Sequence, residues 1–144
     1  MDSVTIQPAT LILAGALLLA LVTVESGGLF LVKVGRGAVP ATGFQKAFFR
    51  AGHAHAAVLL VLSLVILALI DQAALPSPLA WIARSFVPFA AILMPAGFFL
   101  SAIGSGREKP NRLIALLWVG AVVLTLGLIV AGIGLIAGGA AALG

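Results

Sequence analysis

Four long stretches of the chain are apolar at nearly every position, and short polar breaks separate them. The first runs from about Leu11 to Val34, the second from about Phe48 to Ile70, the third from about Leu79 to Ile103 and the fourth from about Leu113 to Leu143. A helical residue advances about 1.5 Å and the hydrocarbon core of a bilayer is about 30 Å thick, so about 20 apolar residues make one span. All four stretches reach that length. A membrane β-strand needs apolar and polar positions to alternate, whereas Val58 to Ile70 is apolar apart from Ser63, so the pattern predicts helices rather than a closed barrel. The first stretch is longer than the apolar core of a secretory signal and is preceded by acidic Asp2 instead of a basic flank, which makes it a retained span.

The breaks use ordinary turn chemistry. Gly35, Gly37, Pro40 and Gly43 interrupt the chain after the first span, Pro76, Ser77 and Pro78 after the second, and Gly104, Gly106 and Pro110 after the third. Short connections make consecutive helices antiparallel neighbours. The expected architecture is therefore an all-α membrane protein, a single domain over residues 1–144, built as a four-transmembrane-helix up-down-up-down bundle. No linker or extramembrane module interrupts it.

Composition strengthens this reading. Of 144 residues, 62% are hydrophobic and 8% are charged, against about 45–50% and about 25% in water-soluble domains. The partner of so much apolar surface is the lipid bilayer. A net charge of +4 does not point to nucleic acid, because the basic residues lie in short loops and not on one folded face. Their distribution sets orientation instead. Lys33, Arg36, Lys46 and Arg50 flank the first loop and Arg107, Lys109 and Arg112 the third, while Arg84 is the one basic residue toward the other side. Excess positive charge in short loops marks the cytoplasmic face. The expectation is a multi-pass protein of the cell membrane with both termini outside and loops 35–47 and 104–112 cytoplasmic. Cysteine is absent, which removes disulfides, thiolate metal sites and a cysteine nucleophile.

Candidate chemistry rests on the few polar residues at membrane depth. Glu25, accompanied by Thr23, Ser26 and the pair Gly27–Gly28, is expected to point into the bundle, since an ionisable group in a span turns toward protein or water. The glycine pair lets the helix bend or a neighbour approach. At the start of the second span stands Arg50-Ala51-Gly52-His53-Ala54-His55. Counted from the helix ends, Glu25 and His53 fall within about a turn of the same depth. At 100° per residue Arg50, His53 and Ala57 share a face that His55 does not, so the histidines do not chelate one metal from one helix. Metal or haem binding through His53 or His55 would require further ligands, for which Glu25 and Gln45 are the candidates.

Other polar residues read as structural. Asp71 and Arg84 flank a short proline-containing loop and are expected to pair. Pro88 and Pro95 fall inside the third helix and predict a kink. The glycines of the fourth helix, Gly120, Gly127, Gly132, Gly134, Gly138 and Gly139, allow close packing either within the chain or between copies in a homo-oligomer. Trp81 and Trp118 suit anchoring at the two membrane surfaces.

The stretch from Phe44 to Ala56, with its Arg-x-Gly-His-x-His core, resembles small uncharacterised bacterial four-helix membrane proteins. The same segment also resembles, over about a dozen positions, the membrane-associated proteins of eicosanoid and glutathione metabolism, in which Arg50 and His53 align with an Arg-Ala-His-type motif. That second resemblance implies a trimeric glutathione-type transferase. The His-Ala-His tripeptide is similar to small relatives of haem-copper oxidase subunits, which implies haem. The residues themselves support a non-enzymatic protein whose Glu25, Arg50, His53 and His55 form a cytoplasmic-side pocket for a small ligand or a proton. A further alternative is a structural subunit of a larger membrane complex. No cofactor is assigned.

Overall fold

A computed structural model describes residues 6–144; Asp2 lies outside them. The four expected spans are four helices: α1 (Pro8–Gly35), α2 (Gly43–Ile70), α3 (Ser77–Ala102) and α4 (Ala115–Ala141), the last entered through a short 3-10 turn at Arg112–Ile114. All four are long and apolar enough to cross a membrane, and the chain is an all-α four-helix bundle. Two ends can be distinguished. One carries the loops 36–42 and 103–111 with most of the basic residues and is called the basic end; the other holds the start of α1, the end of α4 and the loop 71–76.

Helix boundaries depart from the apolar runs where capping takes over. The second helix begins at Gly43, five residues before the apolar run at Phe48, because Thr42 and Gln45 make a reciprocal cap. The Thr42 hydroxyl accepts the Gln45 N–H at 3.1 Å and the Gln45 side-chain oxygen accepts the Thr42 N–H at 3.1 Å. Two orphan donors of the helix start are thereby satisfied. α1 and α3 each begin with a proline in the first turn, Pro8 and Pro78, where the missing N–H costs nothing. α3 runs without a break through Pro88 and Pro95, both buried.

The helices are not equally central. Ten residues of α3 and nine of α2 are buried, against three of α1 and four of α4. α3 packs between α2 and α4, α4 also touches α2, and α1 packs against α2. The main apolar core joins Leu17, Leu59, Leu60, Leu67, Ile70, Val87 and Ala131. A second cluster at the basic end links Val34, Phe49 and Ala102, and Phe49 meets Phe30 of α1 edge-on at 5.5 Å and Phe99 of α3 stacked at 5.7 Å. The large exposed side chains, such as Ile12, Leu19, Ile133 and Ile136, are ordinary for surface that meets lipid.

Association of helices in lipid depends on van der Waals fit, and small residues supply it. The α4 glycines divide on this point. A Cβ at Gly120 would come within 2.6 Å of Met94, one at Gly127 within 2.8 Å of Phe86, one at Gly134 within 2.6 Å of Leu75 Cδ1, and one at Gly138 would strike the Gln72 carbonyl. These four serve packing within the chain. A Cβ at Gly132 or Gly139 would meet nothing within 4 Å. On α3, Gly97 gives the backbone of Leu117 its place.

Candidate functional site

The four residues singled out by the sequence occupy different surroundings. His53 points to α1, where the glycine pair makes room for it. A Cβ on Gly27 would lie 3.4 Å from His53 Nδ1, and one on Gly28 would lie 3.5 Å from Cε1 and 3.6 Å from Nε2. The expected close approach of a neighbour is thus an imidazole laid on α1. No described residue forms a hydrogen bond with either ring nitrogen.

His55 turns the other way, toward α3. Its ring centroid is 4.9 Å from that of Phe98, tilted by 42°, and its Nδ1 is 2.8 Å from the Ala51 carbonyl. A carbonyl only accepts, so Nδ1 is the donor in this contact. The ring lines a small apolar cleft of 170 Å³ with Ala54, Val58 and Leu59. Between the histidines, Gly52 is buried where a Cβ would come within 2.9 Å of Phe99. One turn of α2 therefore serves two helices at once.

Glu25 departs from the expectation that it turns inward: it is exposed on α1. The helix packs on a single neighbour, so only the face with Leu17, Leu21 and Val24 is covered. Glu25 lies 100° from Val24, at the flank of that face. No described residue donates a hydrogen bond to its carboxyl. It stands ten residues from the end of α1 (35 − 25) and His53 ten from the start of α2 (53 − 43), so both sit about 15 Å from the basic end of their helices. At such depth an ionised side chain costs about 2.5–3.5 kcal/mol on insertion scales.

Arg50 is exposed and, among the described residues, unpaired. Side chains lean toward the N-terminus of their own helix. α2 starts at the basic end and α1 at the other, so Arg50 and Glu25 lean apart. The expected four-residue pocket is consequently not a closed cavity: His53 belongs to the α1–α2 seam, Glu25 to the exposed flank of α1, His55 to the α2–α3 side, and Arg50 to the surface.

Gln45, a candidate ligand in the sequence, has a structural task. It is buried, and its side-chain nitrogen donates to the carbonyls of Ala102 at 2.9 Å and Gly104 at 2.7 Å, while the Thr42 hydroxyl donates to the Arg107 carbonyl. The two loops of the basic end are thus tied together. The Thr-x-x-Gln spacing of a capping box was the signal for this role. Among the described residues no three His, Asp or Glu side chains converge as a metal site.

At the opposite end Asp71 and Arg84 form the expected ion pair at 2.8 Å, and the Asp71 side chain is 4% exposed. Two residues missed by the sequence reading join it: the Gln7 N–H donates to Asp71 at 2.8 Å and the Thr10 hydroxyl at 3.0 Å. A polar Thr10 at the same membrane level as Asp71 was the available signal. Burial alone raises this carboxyl, which lies just beyond the last residue of α2. The hydrogen bonds from Arg84, Gln7 and Thr10, with the Arg84 charge, outweigh burial and hold it below its ordinary value of 3.8. The group joins α1, α2 and α3, which is a structural task.

Fold and site define a class, the all-α proteins with four membrane-spanning helices. No protein-family model, curated protein or solved structure matches the chain.

Proposed function

We propose that the protein is a non-enzymatic integral membrane protein, with an accessory role, that binds a proton or a small polar ligand at the α1–α2 seam through His53 and Glu25. The observation that carries this reading is His53: its ring nitrogens lack a hydrogen-bond partner among the described residues although it lies about 15 Å inside the helix end, beside two glycines that leave its face uncovered. His53 is half-buried, and an ionisable group at membrane depth without a partner is costly and marks a functional-site candidate. Glu25 stands within about a turn of it along the seam. An imidazole can both take up and release a proton, which suits a reversible proton site. Arg50 at the surface attracts an anionic ligand toward the seam, and His55 supports α2 against α3.

The basic end faces the cytoplasm on this reading, with both termini outside, as the bias of lysine and arginine favours. The seam then opens toward the cytoplasmic half of the membrane.

The test is proton uptake by the protein in lipid nanodiscs between pH 5 and 8, compared with His53→Ala and Glu25→Gln. The wild type should take up about one proton more per chain than His53→Ala across that range, and Glu25→Gln should displace the midpoint. Superimposable curves for all three would remove the seam from consideration.

A further inference from the structure

One turn of α1 presents polar atoms outward at a depth where lipid has nothing to offer them. Thr23, Glu25 and Ser26 are all exposed. The Thr23 hydroxyl donates to the Ala20 carbonyl at 2.6 Å and the Ser26 hydroxyl to the Thr23 carbonyl at 2.7 Å. Each has spent its proton on its own helix and keeps oxygen lone pairs that seek a donor. Glu25 has neither a cation nor a donor among the described residues. The midpoint of α1 lies at (8 + 35)/2 = 21.5, so Glu25 is 3.5 residues, or about 5 Å, from the middle of the helix. No polar group at that depth is left facing hydrocarbon without strong cost.

Among the described residues nothing is shown to cover this turn: Thr23, Glu25 and Ser26 are exposed and α1 packs mainly on α2. The occupant is identified by the chemistry of the patch. Two copies inserted in the same sense, and related by an axis along the membrane normal, bring like residues to like depth. The turn then meets itself. It offers a carboxylic acid, which in its neutral form is a donor, and two hydroxyl oxygens, which are acceptors, and both kinds sit on the same turn of both copies. Such a surface is self-complementary. Gly15, Val22 and Ser26 follow one another at spacings of seven and four along the outward line of the helix, and a Cβ on Gly15 would meet nothing within 4 Å, so a second helix can come close.

We propose that the outward turn of α1 is the contact between two copies of this chain, with the Glu25 carboxyl of each copy hydrogen-bonded to the Thr23 and Ser26 hydroxyls of the other. This rests on the outward placement of Glu25, a residue it shares with the binding reading above, and not on His53, whose substitution tests that reading alone.

The chain contains no cysteine, which gives a clean background for cross-linking. Val22→Cys places a thiol on the outward line one turn from Ser26. Ile129→Cys places one near the middle of α4 on an equally open face, where collision alone brings copies together; the two native side chains are 62% and 51% exposed. In vesicles at high dilution in lipid, oxidation should link Val22→Cys into a dimer, with Ile129→Cys remaining at the collision level. Adding Glu25→Leu to Val22→Cys should weaken dimerisation by about tenfold, the worth of an interhelical hydrogen bond in lipid. Glu25→Gln should restore it, because the amide still donates. Proton uptake by His53 in the same samples separates this result from failure of the seam site. Equal linkage at Val22→Cys and Ile129→Cys would overturn the proposal, as would indifference to Glu25→Leu in protein that melts like wild type. Linkage in native membranes to a different protein in place of a second copy would overturn it too.

Discussion

Gly97 and Gly132 are alike in the sequence, each a glycine in an apolar helix, yet their neighbours differ completely. A Cβ on Gly97 would meet the backbone nitrogen and Cα of Leu117, whereas one on Gly132 would meet nothing within 4 Å. Backbone cannot rotate aside as a side chain does. Gly97→Ala should therefore destabilise the protein by about 1–3 kcal/mol, the cost of overpacking a fitted contact. Gly132→Ala should change stability by less than about 1 kcal/mol, in the favourable direction that helix propensity gives alanine. Unfolding in lipid micelles by denaturant titration checks the pair, and equal effects at both positions would contradict the α3–α4 packing. This distinction was not legible in the sequence. α4 is apolar all round, so no polar face marks which glycines look at the protein and which at lipid. The same blindness applies to Glu25. Its rarity and depth could be read directly, but its direction depends on how many neighbours α1 has, and that is a property of the assembled bundle.

Elements were the level at which the sequence spoke most clearly, because membrane thickness fixes the length of a span whatever its neighbours do. The exceptions are instructive. α2 starts five residues before its apolar run because Thr42 and Gln45 cap it, and capping is written in two polar residues rather than in hydropathy. Asp71 was legible as a partner of Arg84, but its bonds to α1 were not. By gathering Gln7, Thr10 and Arg84, this carboxylate joins three helices at one point. Asp71→Asn should cost about 3 kcal/mol at pH 7, since removing one partner leaves a largely buried guanidinium without its counter-charge. The sign of the pH dependence follows from the lowered carboxyl. A folded-state value below the ordinary 3.8 means that the contribution is complete above that pH and is lost as pH falls through the folded value. Wild type and Asp71→Asn should thus differ by a constant amount between about pH 7 and 5 and converge as pH falls through the folded-state value. Melting curves that kept their separation down to the acid end would show that the ionised carboxylate contributes nothing.

For the molecule as a whole, the uneven burial of its helices organises what it can do. α2 and α3 are the interior and α1 and α4 the flanks, so the two flanking helices meet lipid or other proteins across most of their surfaces. Charge adds a direction to this arrangement, since the loops 36–42 and 103–111 lie at one end with most of the lysine and arginine. A reporter enzyme that is active only outside the cytoplasm should work when fused to residue 144 and stay silent when inserted after Gly106. The reverse pattern would invert the topology and move the His53 seam to the outer half of the membrane.

The carboxylate at the head of the first hairpin also imposes an order on manufacture. Its guanidinium arrives 13 positions later in the chain, so a nascent polypeptide that has delivered two rods to the translocon still holds an acid lacking its counter-ion. Until the third rod threads in, the acid has only the Gln7 N–H and the Thr10 hydroxyl to hold it, so full neutralisation of this corner waits on that last partner.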